Sequence, residues 1–272
     1  MKTTTAPQAP AKLLAQFASD IHLDPALPRT TNYFLNFLKQ QAPLAERLYL
    51  LGDLFEYWAG DDDMYAPYHQ MIIQALRDLS DAGTAIFWIA GNRDFLVGNA
   101  FSDATGCQLL PDPSLIHLAG HAIAITHGDA LCTDDVGYMQ FRKMVRQSQW
   151  QEAFLQQPLA QRKAIIEGMR INSKSEQKSK SAEIMDAHPD AISALFKQQQ
   201  VAIMIHGHTH RPARHQHSEG LRYVLPDWEC DATAQKLRGG WLAIDQDGHF
   251  LAHHVDGSDD LLFTGIKDTP PE

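Results

Sequence analysis

Cysteine is scarce in this chain, with three residues among 272. Cys107, Cys132 and Cys230 form no CxxC pair, and an odd number of cysteines cannot all pair within one chain. The sequence therefore favours neither a disulfide framework nor a zinc site built from thiolates. Such cysteine usage predicts a reducing compartment, the cytoplasm.

Long apolar runs are also missing. The first residues, MKTTTAPQAPAKLLAQF, are polar and contain proline, so we expect no signal peptide. No later run approaches the roughly 20 apolar residues that a membrane-spanning helix needs. The sequence predicts a protein that is neither exported through a signal peptide nor embedded in a membrane.

Positive charge is in deficit, with 23 Lys and Arg against 33 Asp and Glu and a net charge of −10. Because nucleic-acid binding depends on basic contacts to phosphates, we expect no nucleic-acid partner. A hydrophobic content of 44% is typical of a globular chain with a sizeable core, which excludes a disordered or fibrous protein. Histidine, in contrast, is abundant, with 14 residues in a few short clusters.

Short apolar runs alternate with segments of helical spacing. Buried strands are predicted at 13–19, 47–52, 84–91 and 201–207, amphipathic helices at 30–40 and 67–82, and hairpins at 114–127 and 240–255. This alternation predicts a layered α/β fold, and we expect a single domain over residues 1–272.

Residues 133–198 form a polar, helical insertion between two predicted strands, which we interpret as a cap. Within 141–180, nine Lys or Arg stand against three Glu, a net charge of +6, so the remaining 232 residues carry −16. Two interpretations of this charge stay open. It belongs either to a solvated helical face with a mobile loop or to an anion-binding cap.

Polar clusters follow five of the predicted strands. They are Ser19-Asp20-Ile21-His22, Gly52-Asp53, Gly91-Asn92-Arg93-Asp94, His127-Gly128-Asp129 and His206-Gly207-His208-Thr209-His210. Since ligands of open α/β sheets bind at the carboxyl ends of the strands, we expect these clusters to converge. Carboxylate, amide and imidazole together suit divalent Mn, Fe or Zn. The Asp-x-His and His-Gly-His spacings each place two ligands on one side of an extended strand.

These motifs in this order, over about residues 17–215, resemble the calcineurin-like metallophosphoesterases. The resemblance implies an α/β sandwich of two sheets flanked by helices, with the helical cap inserted at 133–198. It also implies a catalytic centre of two metal ions and Arg93. One ion would be bound by Asp20, His22, Asp53 and His208, and the other by Asp53, Asn92, His127 and His206, with Asp53 bridging.

Longer motifs closely resemble the UDP-2,3-diacylglucosamine diphosphatase family of bacterial lipid A synthesis. They are GDLFEYWAGDDD (52–63), GNRDFLVG (91–98), HGDALCTDD (127–135), MRINSKSEQKSKS (169–181), IMD (184–186) and IHGHTHRPA (205–213). The resemblance implies hydrolysis of a pyrophosphate bond to UMP and 2,3-diacylglucosamine 1-phosphate (lipid X), with two Mn²⁺ ions. It also implies a peripheral position on the cytoplasmic face of the inner membrane.

Substrate contacts follow from the same resemblance. They are implied at Asn92, Arg93, Asp135, Ser173, Gln177, Lys180 and His206. Gln177 departs from the Asn of the family but keeps the same donors and acceptor. Apolar cap residues offer a surface for the acyl chains, namely Phe141, Met144, Phe154, Ile165 and Met169.

Two other functions remain as alternatives: a phosphodiesterase or nuclease of the same superfamily, and a metal-free binding scaffold on the same fold. The basic cap in an acidic chain argues against the first. The second should have lost ligands, whereas all seven positions are filled. Asp61, Asp62 and Asp63 are interpreted as solvated or capping rather than as a third metal site. Cys132 is interpreted as inert, and His215 and His217 as surface residues.

Overall fold

The computed structural model describes residues 13–177, 186–233 and 237–257, with the side chains of 172–177 excepted. The strands are β1 (Leu13–Ala18), β2 (Ala45–Leu51), β3 (Ala85–Ile89), β4 (Gln108–Leu110), β5 (Ser114–Leu118), β6 (His121–Ile125), β7 (Ile203–His206), β8 (Ala213–Gln216), β9 (Leu221–Val224), β10 (Gly240–Ile244) and β11 (Phe250–His254). The α-helices are α1 (Pro28–Gln40), α2 (Pro67–Asp81), α3 (Asn99–Thr105), α4 (Val136–Val145), α5 (Ser148–Leu155), α6 (Leu159–Gln177) and α7 (Pro189–Gln199).

The first sheet has six strands in the order β11-β10-β1-β2-β3-β4. Strands β1 to β4 are parallel, and the antiparallel hairpin β10-β11 extends the sheet from β1. The predicted strands, the two amphipathic helices and this hairpin are confirmed, with ends that shift by a few residues. Strand β4 was not predicted, since its three residues are too few to give a pattern.

The second sheet has five strands in the order β5-β6-β7-β9-β8. The predicted hairpin β5-β6 is confirmed, and β6, β7 and β9 run parallel. Thus the strands that carry the polar clusters end at the same edge in each sheet. This arrangement brings the motifs of β1, β2 and β3 to those of β6 and β7.

Apolar side chains fill both faces of each sheet, which explains the nearly continuous apolar runs of the parallel strands. Phe17, Tyr49 and Leu51 of the first sheet pack against Ile125 and Ile205 of the second. The other face of the first sheet packs on α1, α2 and α3, and the other face of the second on α7. The expected α/β sandwich of two sheets flanked by helices is confirmed.

Four helices occupy the range 133–198, in which the sequence predicts a cap. Helices α4, α5 and α6 follow one another between β6 and the segment after residue 177. Helix α7 differs, because Ile192, Leu195 and Phe196 bury its apolar face on the five-stranded sheet. In the described part of the chain, no helix combines the length and the apolar character that crossing a bilayer requires.

Candidate metal centre

The loops that follow β1 and β2 are tied to each other by their backbones. The amide of Asp20 donates to the carbonyl of Gly52 (3.1 Å), and the amide of His22 donates to that of Asp53 (3.0 Å). These bonds place the Asp-x-His and Gly-Asp motifs side by side. The expected convergence of the strand-end clusters therefore begins with the backbone.

The backbone is strained at the same positions. Among the described residues, seven other than glycine have a positive φ, and five of them lie in the strand-end clusters, with φ between 52° and 66°: Asp20, His22, Asp53, His208 and His210. The left-handed region costs free energy for residues with a Cβ and is retained mainly where function requires it. His206 is absent from this group.

Asp20, His22 and His210 bring one set of ligand atoms together. His210 Nε2 lies 3.4 Å from Asp20 Oδ1 and 3.3 Å from His22 Nε2. His22 Nε2 lies 4.0 Å from oxygens of both Asp20 and Asp53. Three residues from two loops thus point their ligand atoms at one small volume.

A second set forms around Asp53 and His127, again with Asp20 close by. His127 Nε2 lies 3.7 Å from Asp53 Oδ1 and 2.9 Å from Asn92 Oδ1. The ring of His208 crosses that of His127 with centroids 5.0 Å apart. Because one oxygen of Asp53 faces His22 and the other faces His127, this carboxylate lies between the two sets.

The charges of the centre favour a bound cation. Burial opposes charge on Asp20, yet its hydrogen bond with His210 and the nearby imidazoles hold its pKa far below the usual range. Burial also opposes protonation of His127, but Asp53 and Asp20 raise its pKa to about 9. Asp20 is fully buried, and its Oδ1 lies 3.4 Å from His210 Nε2 and 4.0 Å from His22 Nε2. Carboxylate, carboxamide and imidazole atoms with this unmet demand for positive charge suit divalent metal ions.

Two glycines permit the close approach of these loops. A Cβ on Gly91 would lie 2.1 Å from Asp53 Oδ1, and one on Gly207 would lie 2.1 Å from Asp20 Oδ2. The neighbouring amides use that space, since Arg93 donates to Asp53 (2.8 Å) and His208 donates to Asp20 (2.8 Å). The glycine of His-Gly-His therefore has the role that the sequence suggests.

His206, which the sequence analysis predicts as a metal ligand, lies outside the two sets of ligand atoms described above. Its Nδ1 lies 2.8 Å from the carbonyl oxygen of Gly207, and its Nε2 lies 3.1 Å from Nη1 of Arg222. Both ring nitrogens thus have other partners, and His210, which the prediction omitted, takes a place among the ligand atoms. The sequence did contain a signal: His208-Thr209-His210 repeats the spacing of Asp20-Ile21-His22.

Two further aspartates of the motifs support the loops. Asp94 is fully buried and accepts from the amides of Gly91 and Leu54, each at 2.8 Å. Asp129 accepts from Tyr138 Oη (2.5 Å) and from Arg142 Nε (2.8 Å), both on α4. Asp94 therefore fixes the Gly-Asn-Arg-Asp loop, and Asp129 ties the first cap helix to the site.

Glu56 is a site residue that the sequence analysis missed. One of its oxygens lies 3.1 Å from His22 Nδ1, and the other lies 2.7 Å from Arg170 on α6. Burial opposes its charge, but the contact with His22 and the charge of Arg93 lower its pKa to about 2. Glu56 follows the Gly-Asp motif by three residues, and nothing in its spacing marks it.

The implied substrate contacts lie in different parts of the site. Asn92 contacts His127, Arg93 lies 4.0 Å from Glu56, and Asp135 accepts from the amide of Tyr138 as the N-cap of α4. Ser173 and Gln177 belong to α6, with side chains outside the described part, and Lys180 lies outside the described residues.

The basic side chains of the cap mostly contact the rest of the chain. On α4, Arg142 binds Asp129, and Arg146, just after the helix, donates to the carbonyl of Gly91 (2.8 Å). On α6, Arg162 pairs with Asp62, Lys163 with Asp63 (2.5 Å) and Arg170 with Glu56. Much of the positive charge of the cap therefore anchors it. These five side chains are neither solvated freely nor available to an anion, whereas the side chains of Lys174, Lys178 and Lys180 lie outside the described part of the chain.

The acidic run 61–63 is structural, as the sequence suggests. Asp61 accepts from Trp58 Nε1 and from the amides of Gly98 and Phe101, and it thereby caps the start of α3.

One predicted acyl contact is wrong: Phe154 is buried and stacks on Trp150 with centroids 4.9 Å apart, so it offers no free surface. Cys132 is buried, and burial raises its pKa to about 12, as expected of an inert thiol.

Comparison with known proteins identifies the family. The model of the calcineurin-like phosphoesterases matches residues 17–212. A protein of Aromatoleum aromaticum named UDP-2,3-diacylglucosamine hydrolase is 46% identical over 229 residues, which are 83% of this chain and 93% of that protein. Proteins of the same name from Bordetella parapertussis and Pseudomonas entomophila are each 45% identical, and the matches cover 85% and 86% of this chain and 91% and 96% of those proteins.

The chain belongs to the calcineurin-like phosphoesterase family. Within that family it groups with the relatives named UDP-2,3-diacylglucosamine hydrolase, which it matches over most of its length.

Proposed function

We propose that the chain hydrolyses the pyrophosphate bond of UDP-2,3-diacylglucosamine and releases UMP and 2,3-diacylglucosamine 1-phosphate. The observation that carries the proposal is the strained cluster of carboxylates and imidazoles at the strand ends. It occurs in a chain whose relatives are named for this substrate.

Two divalent ions, manganese by the family resemblance, complete the centre in this proposal. Asp20, His22, Asp53 and His210 would hold one ion, and Asp53, Asn92, His127 and His208 would hold the other. The assignment is supported by the convergence of ligand atoms and by the contact of His206 Nε2 with Arg222.

When bound, the ions lower the pKa of a water from about 15.7 towards 7 and neutralise phosphoryl charge. The protein supplies the orientation. The Arg93 amide holds Asp53, Asn92 holds His127, and Glu56 lies against the outer nitrogen of His22. The Arg93 guanidinium stabilises the pyrophosphate by charge-assisted hydrogen bonds.

The cap provides the remaining substrate contacts in this proposal. Asp135, Ser173, Gln177 and Lys180 contact the polar part of the substrate together with Asn92, Arg93 and His206. Exposed apolar residues of the same region support contact with acyl chains and with a lipid surface: Val136 is 62% exposed, Met144 44% and Ile171 61%. These residues support the proposal that the protein acts as a peripheral protein at the inner face of the bacterial inner membrane.

Assay of the purified chain with Mn²⁺ and UDP-2,3-diacylglucosamine tests the function. We expect stoichiometric UMP and 2,3-diacylglucosamine 1-phosphate by mass spectrometry, and loss of turnover with EDTA. UDP-glucosamine is the matched substrate without acyl chains, and it should react far less efficiently, since each buried CH₂ contributes about 0.8 kcal/mol. Equal efficiency on both substrates would contradict the acyl-chain contact. Faster turnover of bis-p-nitrophenyl phosphate than of the lipid would favour a general phosphodiesterase.

A further inference from the structure

A basic cavity lies beside the metal centre, next to His206. Its volume is about 190 Å³, and its lining includes Thr209, Arg211, His215 and Arg222. It adjoins the centre through Thr209, whose chain neighbours are His208 and His210. A cavity of this volume admits a group much larger than one water, which needs about 15 Å³.

The cavity opens on the face of the five-stranded sheet that points away from the other sheet. Ile205 of β7 and Tyr223 of β9 pack between the sheets. Because side chains alternate along a strand, His206 and Arg222 point to the opposite face. His215 of β8 pairs with Arg222 in the register and joins them there.

Arg222 is a buried cation whose direct side-chain contacts are two histidines. Its side chain is 7% exposed, its Nε donates to His217 Nε2 (3.1 Å), and its Nη1 lies 3.1 Å from His206 Nε2. Within residues 13–177, 186–233 and 237–257, it makes no ion pair with a carboxylate. Buried charges are costly unless they are paired, so an unpaired guanidinium that lines a cavity is a strong attractor for anions.

Asp186 is the acidic residue among those that line the cavity. Its charge acts on Arg222, but its carboxylate also pairs with Arg211, so two guanidinium groups face one carboxylate. Burial and the charge of Arg222 lower the pKa of His215 and of His217, so these imidazoles add no positive charge at neutral pH.

Hydrogen-bond donors remain free in the cavity. A guanidinium has five N–H donors, and the two histidine contacts of Arg222 use two of them. The hydroxyl of Thr209 is buried without a hydrogen-bond partner. We propose that this cavity, which we call the Arg222 pocket, binds a phosphoryl group through Arg222, Arg211 and Thr209. A nucleoside monophosphate and free inorganic phosphate both carry this group.

Calorimetric titration of the full chain tests the proposal. Divalent ions are removed with EDTA so that they do not bind phosphate themselves, and circular dichroism checks the fold. We expect inorganic phosphate and UMP to bind and uridine not to bind. If UMP binds at least tenfold more tightly than inorganic phosphate, the Arg222 pocket is assigned to the nucleotide. If the two affinities are equal, it is assigned to free phosphate. Since no turnover is measured, a negative result leaves the proposed hydrolysis intact.

Arg222→Met should weaken phosphate binding at least tenfold, since it removes the charge and keeps most of the volume. Arg214→Met is the matched control, because the Arg214 guanidinium lies over the ring of Tyr223 (5.8 Å) rather than in the cavity. Arg211→Gln, at the same pocket, serves if Arg222→Met does not fold, and it should weaken binding in the same direction. No phosphate binding by the wild type, or unchanged affinity in the folded variant, would overturn the proposal.

Discussion

Glu56 connects His22 to the cap: its two oxygens lie 3.1 Å from His22 Nδ1 and 2.7 Å from Arg170. A carboxylate against the outer nitrogen of a metal-binding imidazole fixes the orientation of the ring and raises its basicity. In this chain the same carboxylate also holds helix α6. The position of the cap and the orientation of His22, a proposed metal ligand, are therefore linked through a single side chain.

Glu56→Gln should weaken metal binding, because the amide cannot stabilise the His22 ring as a carboxylate does. Loss of such a partner typically reduces metal affinity about 10- to 100-fold. Calorimetry with Mn²⁺ measures the affinity directly, and the activity should recover at high metal concentration. Glu167→Gln is the control, since Glu167 pairs with Arg170 (2.9 Å) and is 59% exposed. Similar metal affinity in both variants would contradict this role.

His210 and His206 make a direct test of the ligand assignment. His210→Ala should lose one of the two ions, because its Nε2 lies 3.4 Å from Asp20 in the first set of ligand atoms. His206→Ala should keep both ions, since its ring nitrogens face Gly207 and Arg222. Metal content by mass spectrometry and Mn²⁺ affinity give the readout. Loss of an ion in folded His206→Ala, with none in His210→Ala, would restore the assignment made from the sequence.

The sequence predicted the strands because a strand buried on both faces has a nearly continuous apolar run. It also predicted that the polar motifs meet at one edge of the sheets, where these strands end. It also predicted that Asp20, Asp53 and His127 converge, since each follows such a run. It assigned His206 rather than His210 to the centre. His206 is the last residue of β7, and its ring follows the pleat to Arg222, whereas His208 and His210 turn to the centre through a positive φ.

Contacts between distant segments of the chain also could not be predicted from the sequence. Glu56 contacts Arg170, 114 residues away, and Arg222 contacts His206, 16 residues away, and no local pattern predicts such contacts. The basic composition of the cap was visible, but its use as an anchor depends on Asp62 and Asp63, which lie a hundred residues earlier.

Arg162 should be the main anchor of the cap. Its side chain is only 2% exposed, it donates to the carbonyls of Gln157 and Ala59, and it pairs with Asp62. Arg162→Met would remove the donor to the buried carbonyl of Ala59 and to the part-buried carbonyl of Gln157, so we expect a loss of about 2 kcal/mol or more in the free energy of unfolding. Urea denaturation followed by circular dichroism measures it.

The control for the cap anchor is Arg77→Met, which removes an exposed pair with Asp81 (2.9 Å) on α2. Such surface pairs contribute about 0 to 1 kcal/mol. Equal losses in the two variants would show that Arg162 does not anchor the cap more strongly than a surface arginine.

Arg93 should set the preference for the leaving group. Many metallophosphoesterases have a His at the position that matches Arg93. A His at this position can protonate a leaving alkoxide. Arginine holds its proton too tightly to act as an acid, but it can neutralise phosphate charge. A nucleoside monophosphate leaves as a stable anion, its last pKa being about 6 like other phosphate monoesters. The wild type should therefore cleave the UDP-lipid pyrophosphate and scarcely touch an unactivated alkyl phosphodiester.

Arg93→His should lower kcat/KM on the pyrophosphate about 10- to 100-fold, the effect of losing a charged hydrogen bond of about 1.5 to 3 kcal/mol. Arg93→Lys keeps the charge without the planar donors and should lose less. The hydrogen bond from Arg93 to Asp53 is donated by the backbone amide, so neither substitution removes it. Substantial wild-type activity on the alkyl diester, or full pyrophosphatase activity in Arg93→His, would show that the preference has another origin. A gain of diester cleavage in Arg93→His would instead strengthen the argument, because the imidazole can supply the proton that the alkoxide needs.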